Sequence, residues 1–210
     1  MGVTRAPEAE RRAHWDARYQ ASGPDGVSWF QNRPAASLAL IAASGLDRAS
    51  ALIDVGGGAA RLVDHLLVDG WSDVTVLDLS DVALDQARMR VGPNPCVQWI
   101  AQDLLTWRPA RRYDLWHDRA VFHFLVDEDD RRQYGRVLSE ALTPQATVIV
   151  GAFASDGPRQ CSGLPVARYD PATLVSALGG RFDVLATQSE EHVTPQGMTQ
   201  SFTWVALRCL

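Results

Sequence analysis

The hydrophobic pattern of this chain changes period at residue 51, and that change organises everything after it. Residues 51–55 are apolar except for Asp54 and run directly into three glycines. Residues 61–69 then place Leu62, His65 and Leu66 at helical spacing and stop at Gly70. The alternation continues with strands over 73–79, 97–101, 113–117 and 146–153, and helices over 82–91, 127–142 and 171–178. Two last strands, 182–188 and 199–208, are joined by a short connection around Pro195-Gln196-Gly197, so they must form an antiparallel hairpin. Strands alternating with helices require right-handed crossovers, and hence a parallel sheet covered on both faces. The expected fold is α/β: a seven-stranded, mostly parallel sheet with an antiparallel last strand and helices on both faces.

The first 46 residues read differently. Residues 7–20 form a charged helix with Trp15 and Tyr19 on one face, and the cluster Ser22-Gly23-Pro24-Asp25-Gly26 breaks it. Pro34 opens a second helix that runs to about Ser44 and stops at Gly45. The chain therefore divides into an N-terminal helical lid or cap over 1–46 and a main domain over 47–210. No internal repeat or low-complexity tract interrupts either part.

Composition narrows the chemistry. A chain of 210 residues, 46% of them hydrophobic, builds one domain with a sizeable core but not two. Its net charge of -5 argues against nucleic acid as partner, because phosphate binding needs clustered cations. Every cation is Arg; with no Lys, neither a Schiff base nor a lysine base is available. Cys96, Cys161 and Cys209 are widely spaced, in no metal-binding pattern, and read as free thiols of a reducing compartment. The N-terminus lacks the apolar stretch of a signal peptide, and no run approaches the ~18 apolar residues of a membrane span. These features place the protein in the cytoplasm, with no metal and no membrane partner. Oligomeric state is not legible.

The strand ends carry the candidate chemistry. The turn Asp54-Val55-Gly56-Gly57-Gly58 lets a ligand approach the backbone at a helix N-terminus. A dinucleotide fingerprint would place a third glycine at position 61, which is Arg61. An acid before the glycines instead suits a cofactor with no pyrophosphate and a cationic amino group, and an empty tight bend is the alternative. Asp78, at the tip of the second strand, can accept both hydroxyls of a ribose, while Ser80 or Asp81 caps the next helix. Asp103, at the tip of the third, can accept an adenine amine while Leu104 covers the base. Three acids at successive strand ends specify a nucleoside cofactor far better than any one of them.

The motifs LIDVGGGAARL, VTVLDLS, IAQDLL and YDLWHDRAVFHFL, closed by the final hairpin, resemble those of the class I S-adenosylmethionine-dependent methyltransferase superfamily over residues 27–210. The nearest types in motif are small bacterial thiol and tellurite methyltransferases and elongation-factor lysine methyltransferases. The resemblance implies a Rossmann-like sheet and S-adenosylmethionine as cofactor. It implies Asp54, Gly56, Gly57 and Gly58 at the methionine end, Asp78 and Leu79 at the ribose, and Asp103 and Leu104 at the adenine. Trp29, Asp118 and Arg119 would complete the cofactor site. Arg119-Ala120 stands where the lysine methyltransferases carry Lys-Gly, and no NPPY-type tetrapeptide follows the fourth strand, which argues against amide or nucleobase methylation.

For the methyl acceptor, a small molecule is expected, with a protein lysine as the alternative. A nicotinamide-dependent oxidoreductase or a non-catalytic nucleoside binder is the third reading. Asp118 and His123 are the catalytic candidates, His123 as a substrate contact or base; its alternative is packing between Phe122 and Phe124. Cys161, in a loop over the site, either meets a thiophilic substrate or is a plain buried thiol. His192 on the final hairpin is the last substrate candidate, or a surface residue. Trp15, Tyr19, Trp29 and Phe30 either form a lid that shields a sulfonium or pack the N-terminal segment onto the domain. Trp107 and Trp116 read as core.

Overall fold

The computed structural model describes residues 6–210. Two helices lead, α1 (Glu8–Gly26) and α2 (Ala35–Ala43). Then follow β1 (Leu52–Val55), α3 (Leu62–Val68), β2 (Val74–Asp78), α4 (Asp81–Val91), β3 (Val97–Ala101) and β4 (Tyr113–Arg119). A 3-10 turn at Phe122–Phe124 leads into α5 (Glu128–Ala141) and β5 (Leu142–Phe153). The chain ends with a small hairpin, β6 (Gln160–Cys161) and β7 (Leu164–Pro165), then α6 (Pro171–Leu178), β8 (Phe182–Val193) and β9 (Thr199–Cys209).

Seven strands form one sheet in the order β3-β2-β1-β4-β5-β9-β8. The pairings from β3 through β5 are parallel, and β9 runs antiparallel to both β5 and β8, as the short final connection demanded. Leu38 and Ile41 of α2, Leu62 and Leu66 of α3 and Leu84 of α4 pack one face with Trp204. Tyr134, Val137 and Leu138 of α5 and Leu174 and Leu178 of α6 pack the other with Trp116. The strand order reverses between β1 and β4, which opens a crevice at their carboxyl ends, the usual ligand position in such sheets.

Local chemistry explains where the elements begin. Ser80 caps α4, its Oγ accepting the Ala83 N–H at 3.1 Å. Asp170 and Thr173 form a reciprocal capping box on α6, with Pro171 at its first turn. Several boundaries differ from the sequence pattern. The Ser22–Gly26 cluster kinks α1 rather than ending it, because Gly23 takes φ 65° and Pro24 restarts the helix. β8 continues to Val193 although its outer half is polar, since it is an edge strand and its main chain keeps pairing with β9. The loop after β5 contains the β6–β7 hairpin, too short to leave a period.

Gly151 marks the tightest packing in the sheet. A Cβ there would sit 2.7–2.8 Å from ring atoms of the fully buried Trp204. Gly151→Ala should therefore cost about 1–3 kcal/mol by overpacking. Thermal denaturation should show a lower Tm, whereas an unchanged Tm would mean that the indole can shift without strain.

Candidate functional site

One cavity of about 530 Å³ opens at the carboxyl ends of β1 to β4 and beneath α1, within the size range of small-molecule sites. Its floor is the glycine turn. Gly56 (φ 65°) donates its N–H to the Leu77 carbonyl at 2.7 Å and lines the cavity, and a Cβ there would strike Val121. A Cβ on Gly57 would meet Asp54 Oδ2 at 2.5 Å, and one on Gly58 would meet Tyr19 Oη at 2.6 Å. The turn thus reaches the cavity at Gly56, while Gly57 and Gly58 are crowded by the protein and do not line it.

Asp78 and Asp103 both reach this cavity, beside Leu79 and Leu104. Asp78 accepts the Ser80 N–H at 2.7 Å. Burial pushes its carboxyl from 3.8 up to about 7, against the pull of the Ser80 amide. Asp103 accepts the Leu105 N–H at 3.1 Å through Oδ1 and pairs through Oδ2 with Arg11 at 2.5 Å. The roof is α1: Arg12 donates to the Leu79 carbonyl at 2.6 Å, Asp16 accepts from Ser80 Oγ at 2.5 Å, and Tyr19 packs beside Gly58. Trp15 meets Trp29 and Phe124 edge-on, at 5.9 and 5.1 Å, and Trp29 donates to Tyr19 Oη. Trp15, Tyr19 and Trp29 line the cavity; Phe30 lies outside it, under the Arg61 guanidinium.

Three expected site residues are built into the protein instead. Asp54 sits beneath the turn, where its Oδ1 lies 2.7 Å from His117 Nδ1, and His117 Nε2 lies 2.9 Å from Ser37 Oγ. Asp118 is fully buried: its Oδ1 takes the Val121 N–H and its Oδ2 takes the Tyr134 hydroxyl, each at 2.9 Å. Burial raises the Asp118 pKa to about 6, and its hydrogen bonds to Val121, Tyr134 and Phe122 oppose that rise. His192 is held 2.7 Å from the Ser28 carbonyl, away from the cavity. Sequence spacing alone does not resolve which of these side chains turns into the protein.

His123, Cys161 and Arg119 do line the cavity. His123 is fully buried, and burial together with the Arg119 charge pushes its pKa down to about 3. Its Nδ1 accepts the Phe153 N–H at 3.3 Å, so the neutral ring carries its proton on Nε2. In this geometry Nδ1 is already engaged and Nε2–H is a donor. Burial raises the Cys161 thiol, which stays protonated. Ala120, between Arg119 and the 3-10 turn, holds φ 72°, a left-handed strain of about 1 kcal/mol, where the lysine methyltransferases have glycine. Arg11, His14, Gln200 and Phe202 also line the cavity without having announced themselves. Only the helical run carrying Arg11 and His14 hinted at a roof.

Residues 52–145 match the family profile described as "Methyltransferase domain". Thiocyanate methyltransferase 1 of Brassica oleracea is 27% identical over 148 residues, 68% of this chain and 62% of that protein. Trans-aconitate 2-methyltransferase of Azoarcus sp. is 35% identical over 103 residues, 48% of this chain and 39% of that protein. The chain thus spans less than two thirds of the curated relatives it matches. An S-adenosylmethionine-dependent methyltransferase from Anabaena variabilis superposes with TM-score 0.74 at 16% identity, covering 100% of this chain and 99% of that one. The 1,6-didemethyltoxoflavin-N1-methyltransferase of Burkholderia thailandensis, solved with its substrate and S-adenosylhomocysteine, superposes with TM-score 0.71 at 20% identity, covering 100% and 94%.

The Tyr134 hydroxyl accepts the Trp116 indole N–H at 2.9 Å and donates to Asp118, so it satisfies two buried partners at once. Tyr134→Phe should lower unfolding stability by about 2–3 kcal/mol in chemical denaturation. A loss near zero would show that Asp118 and Trp116 find other partners.

Proposed function

We propose that this chain, whose residues 52–145 are a methyltransferase domain on the class I fold, transfers a methyl group from S-adenosylmethionine to a small-molecule acceptor. The observation that carries the reading is the convergence of Asp78 and Asp103, from successive strand ends, on the one cavity floored by the glycine turn. The residues fit the cofactor. Asp78 would take the ribose hydroxyls and Asp103 the adenine amine, with Leu79 and Leu104 against the base. Gly56 leaves bare backbone for the methionine end, and Asp54 braces that turn from below. Bound there, the cofactor supplies an electrophilic methyl on a sulfonium. Trp15 and Trp29 exclude water from that position and present π-faces suited to a cation. Catalysis then consists of alignment, since the displacement needs nucleophile and methyl in line.

A small acceptor is supported by the names of the relatives and by the moderate size of the cavity that must hold donor and acceptor together. A protein lysine is disfavoured because Arg119 would face it, cation against cation. A nicotinamide cofactor is disfavoured by Arg61, which pairs with Asp25 where a dinucleotide turn needs glycine. Of the N-terminal segment 1–46, α1 acts as the lid and α2 packs on the sheet of the cofactor-binding domain 47–210, while residues 1–5 lie outside the described residues. The three free cysteines fit a reducing cytoplasm, and no described helix is long and apolar enough to cross a membrane.

Calorimetry with adenosylhomocysteine and with NAD tests the cofactor. Adenosylhomocysteine should bind, and Asp78→Asn should weaken it roughly 10- to 100-fold. Because the empty-site carboxyl titrates at about 7, affinity should rise with pH up to about 7 as the ionised, accepting form becomes populated, then level off. An amide at this position does not titrate, so that slope should vanish in Asp78→Asn. Tight NAD binding without adenosylhomocysteine binding would overturn the reading.

A further inference from the structure

Arg119 is a buried cation with idle donors. It ends β4, lies 4.8 Å over the Phe202 ring and gives one N–H to the Trp29 carbonyl at 2.9 Å. Its Nε and Nη2 are buried without a hydrogen-bond partner, and it forms no ion pair with a described residue. The acid that most influences it, Glu190, already accepts from Gln31 at 2.5 Å and from Trp204 at 2.8 Å. A buried charge left this way is costly unless a counter-charge arrives. Two further groups on the same side of the cavity are also unpaired: Nε2–H of the fully buried His123 and Oε1 of the buried Gln200. They stand on β4, on the turn after it and on β9, beyond the strands whose tips carry Asp78 and Asp103.

We propose that the acceptor is a small molecule methylated as an anion, its negative group held by Arg119 and the Nε2–H of His123. This deepens, and rests on, the methyltransferase reading above. Among the described residues that act electrostatically on Arg119 or stand on the turn after it, none is free to take a proton from a neutral nucleophile. His123 already uses Nδ1 as an acceptor, Glu190 is engaged at both oxygens, and the Cys161 thiol keeps its proton. The nucleophile must therefore arrive with its lone pair free. That pair forms the new bond to the methyl carbon, the carbon–sulfur bond breaks, and its electrons stay on sulfur. Sulfonium and anion both end neutral, and no proton moves. The methylated product no longer neutralises Arg119, which favours its release. Carboxylates and soft sulfur anions share this chemistry.

The test uses the whole chain. Adenosylhomocysteine binding to the wild type is measured first; its absence would remove the underlying reading, a result separate from the next steps. The cofactor-saturated protein is then titrated with sodium thiocyanate and sodium acetate, and with acetamide as neutral control. Tritiated methyl transfer is measured to both anions and to a neutral amine and alcohol. An anion should bind and accept methyl in preference to the neutral probes. Arg119→Met should weaken the anion about 30-fold or more while adenosylhomocysteine affinity stays within about threefold. Collapse of adenosylhomocysteine affinity in Arg119→Met would assign the guanidinium to the cofactor's own carboxylate and overturn the proposal. So would transfer that prefers the neutral acceptors and falls in His14→Ala, since His14 is the cavity's other imidazole. If Arg119→Met does not fold, the wild-type comparison of anion with neutral probe decides alone.

Discussion

The buried chain of hydrogen bonds from Ser37 through His117 to Asp54 is the constraint on which the cavity depends. It ties three separate segments together: α2 by its serine, β4 by its imidazole and β1 by its carboxylate. Such a network is stabilising only when every member is satisfied, because an unpaired polar group here would carry its full desolvation cost. Asp54 also forms the underside of the glycine turn, where a side chain on Gly57 would collide with it. The floor of the cavity is therefore held from beneath by groups that never need to touch a ligand. It also anchors α2 to the sheet.

The roof is fastened differently. Arg11, Arg12 and Asp16 latch α1 onto Asp103, the Leu79 carbonyl and Ser80, all at or next to the strand tips assigned to the nucleoside. Each latch is partly exposed, where an ion pair contributes at most about 1 kcal/mol. On the proposed assignment, the adenine amine and Arg11 would ask for the same carboxylate. A weakly fastened roof over a firmly braced floor lets ligands enter without disturbing the turn that positions them.

Much of this was legible along the chain. Strand and helix alternation gave the sheet, since a parallel strand buried on both faces reads as a short apolar run between turn signals, and Asp78 at the end of β2 and Asp103 just past β3 followed because strand ends reach the carboxyl edge. What stayed hidden depended on partners distant in sequence. Asp118 looked as exposed as Asp78 until Tyr134, on a helix packed from the other face, sealed it. His192 could not be placed without Ser28, nor His123 recognised as a donor without the Phe153 amide. Periodicity reports which face a residue takes, and not which neighbour takes its proton.

The two sides of the cavity carry opposite signs, and that asymmetry bears on rate as well as on recognition. Carboxylates from β2 and β3 lie on one side and the Arg119 guanidinium on the other, with Trp15, Trp29, Phe124, Phe153 and Phe202 between or around them. In the proposed reaction an aromatic enclosure would limit the water that otherwise solvates a sulfonium and an anion separately, so their attraction would act at a lower effective dielectric. Opposite charges that cancel during a displacement need less solvation at the transition state than at the start. A dry cavity with fixed dipoles therefore penalises the separated reactants more than the developing neutral products. A general base would add a charged, hydrated group to that enclosure and weaken the effect. The neutral, proton-bearing His123 and the protonated Cys161 thus belong to the same design as the aromatic wall.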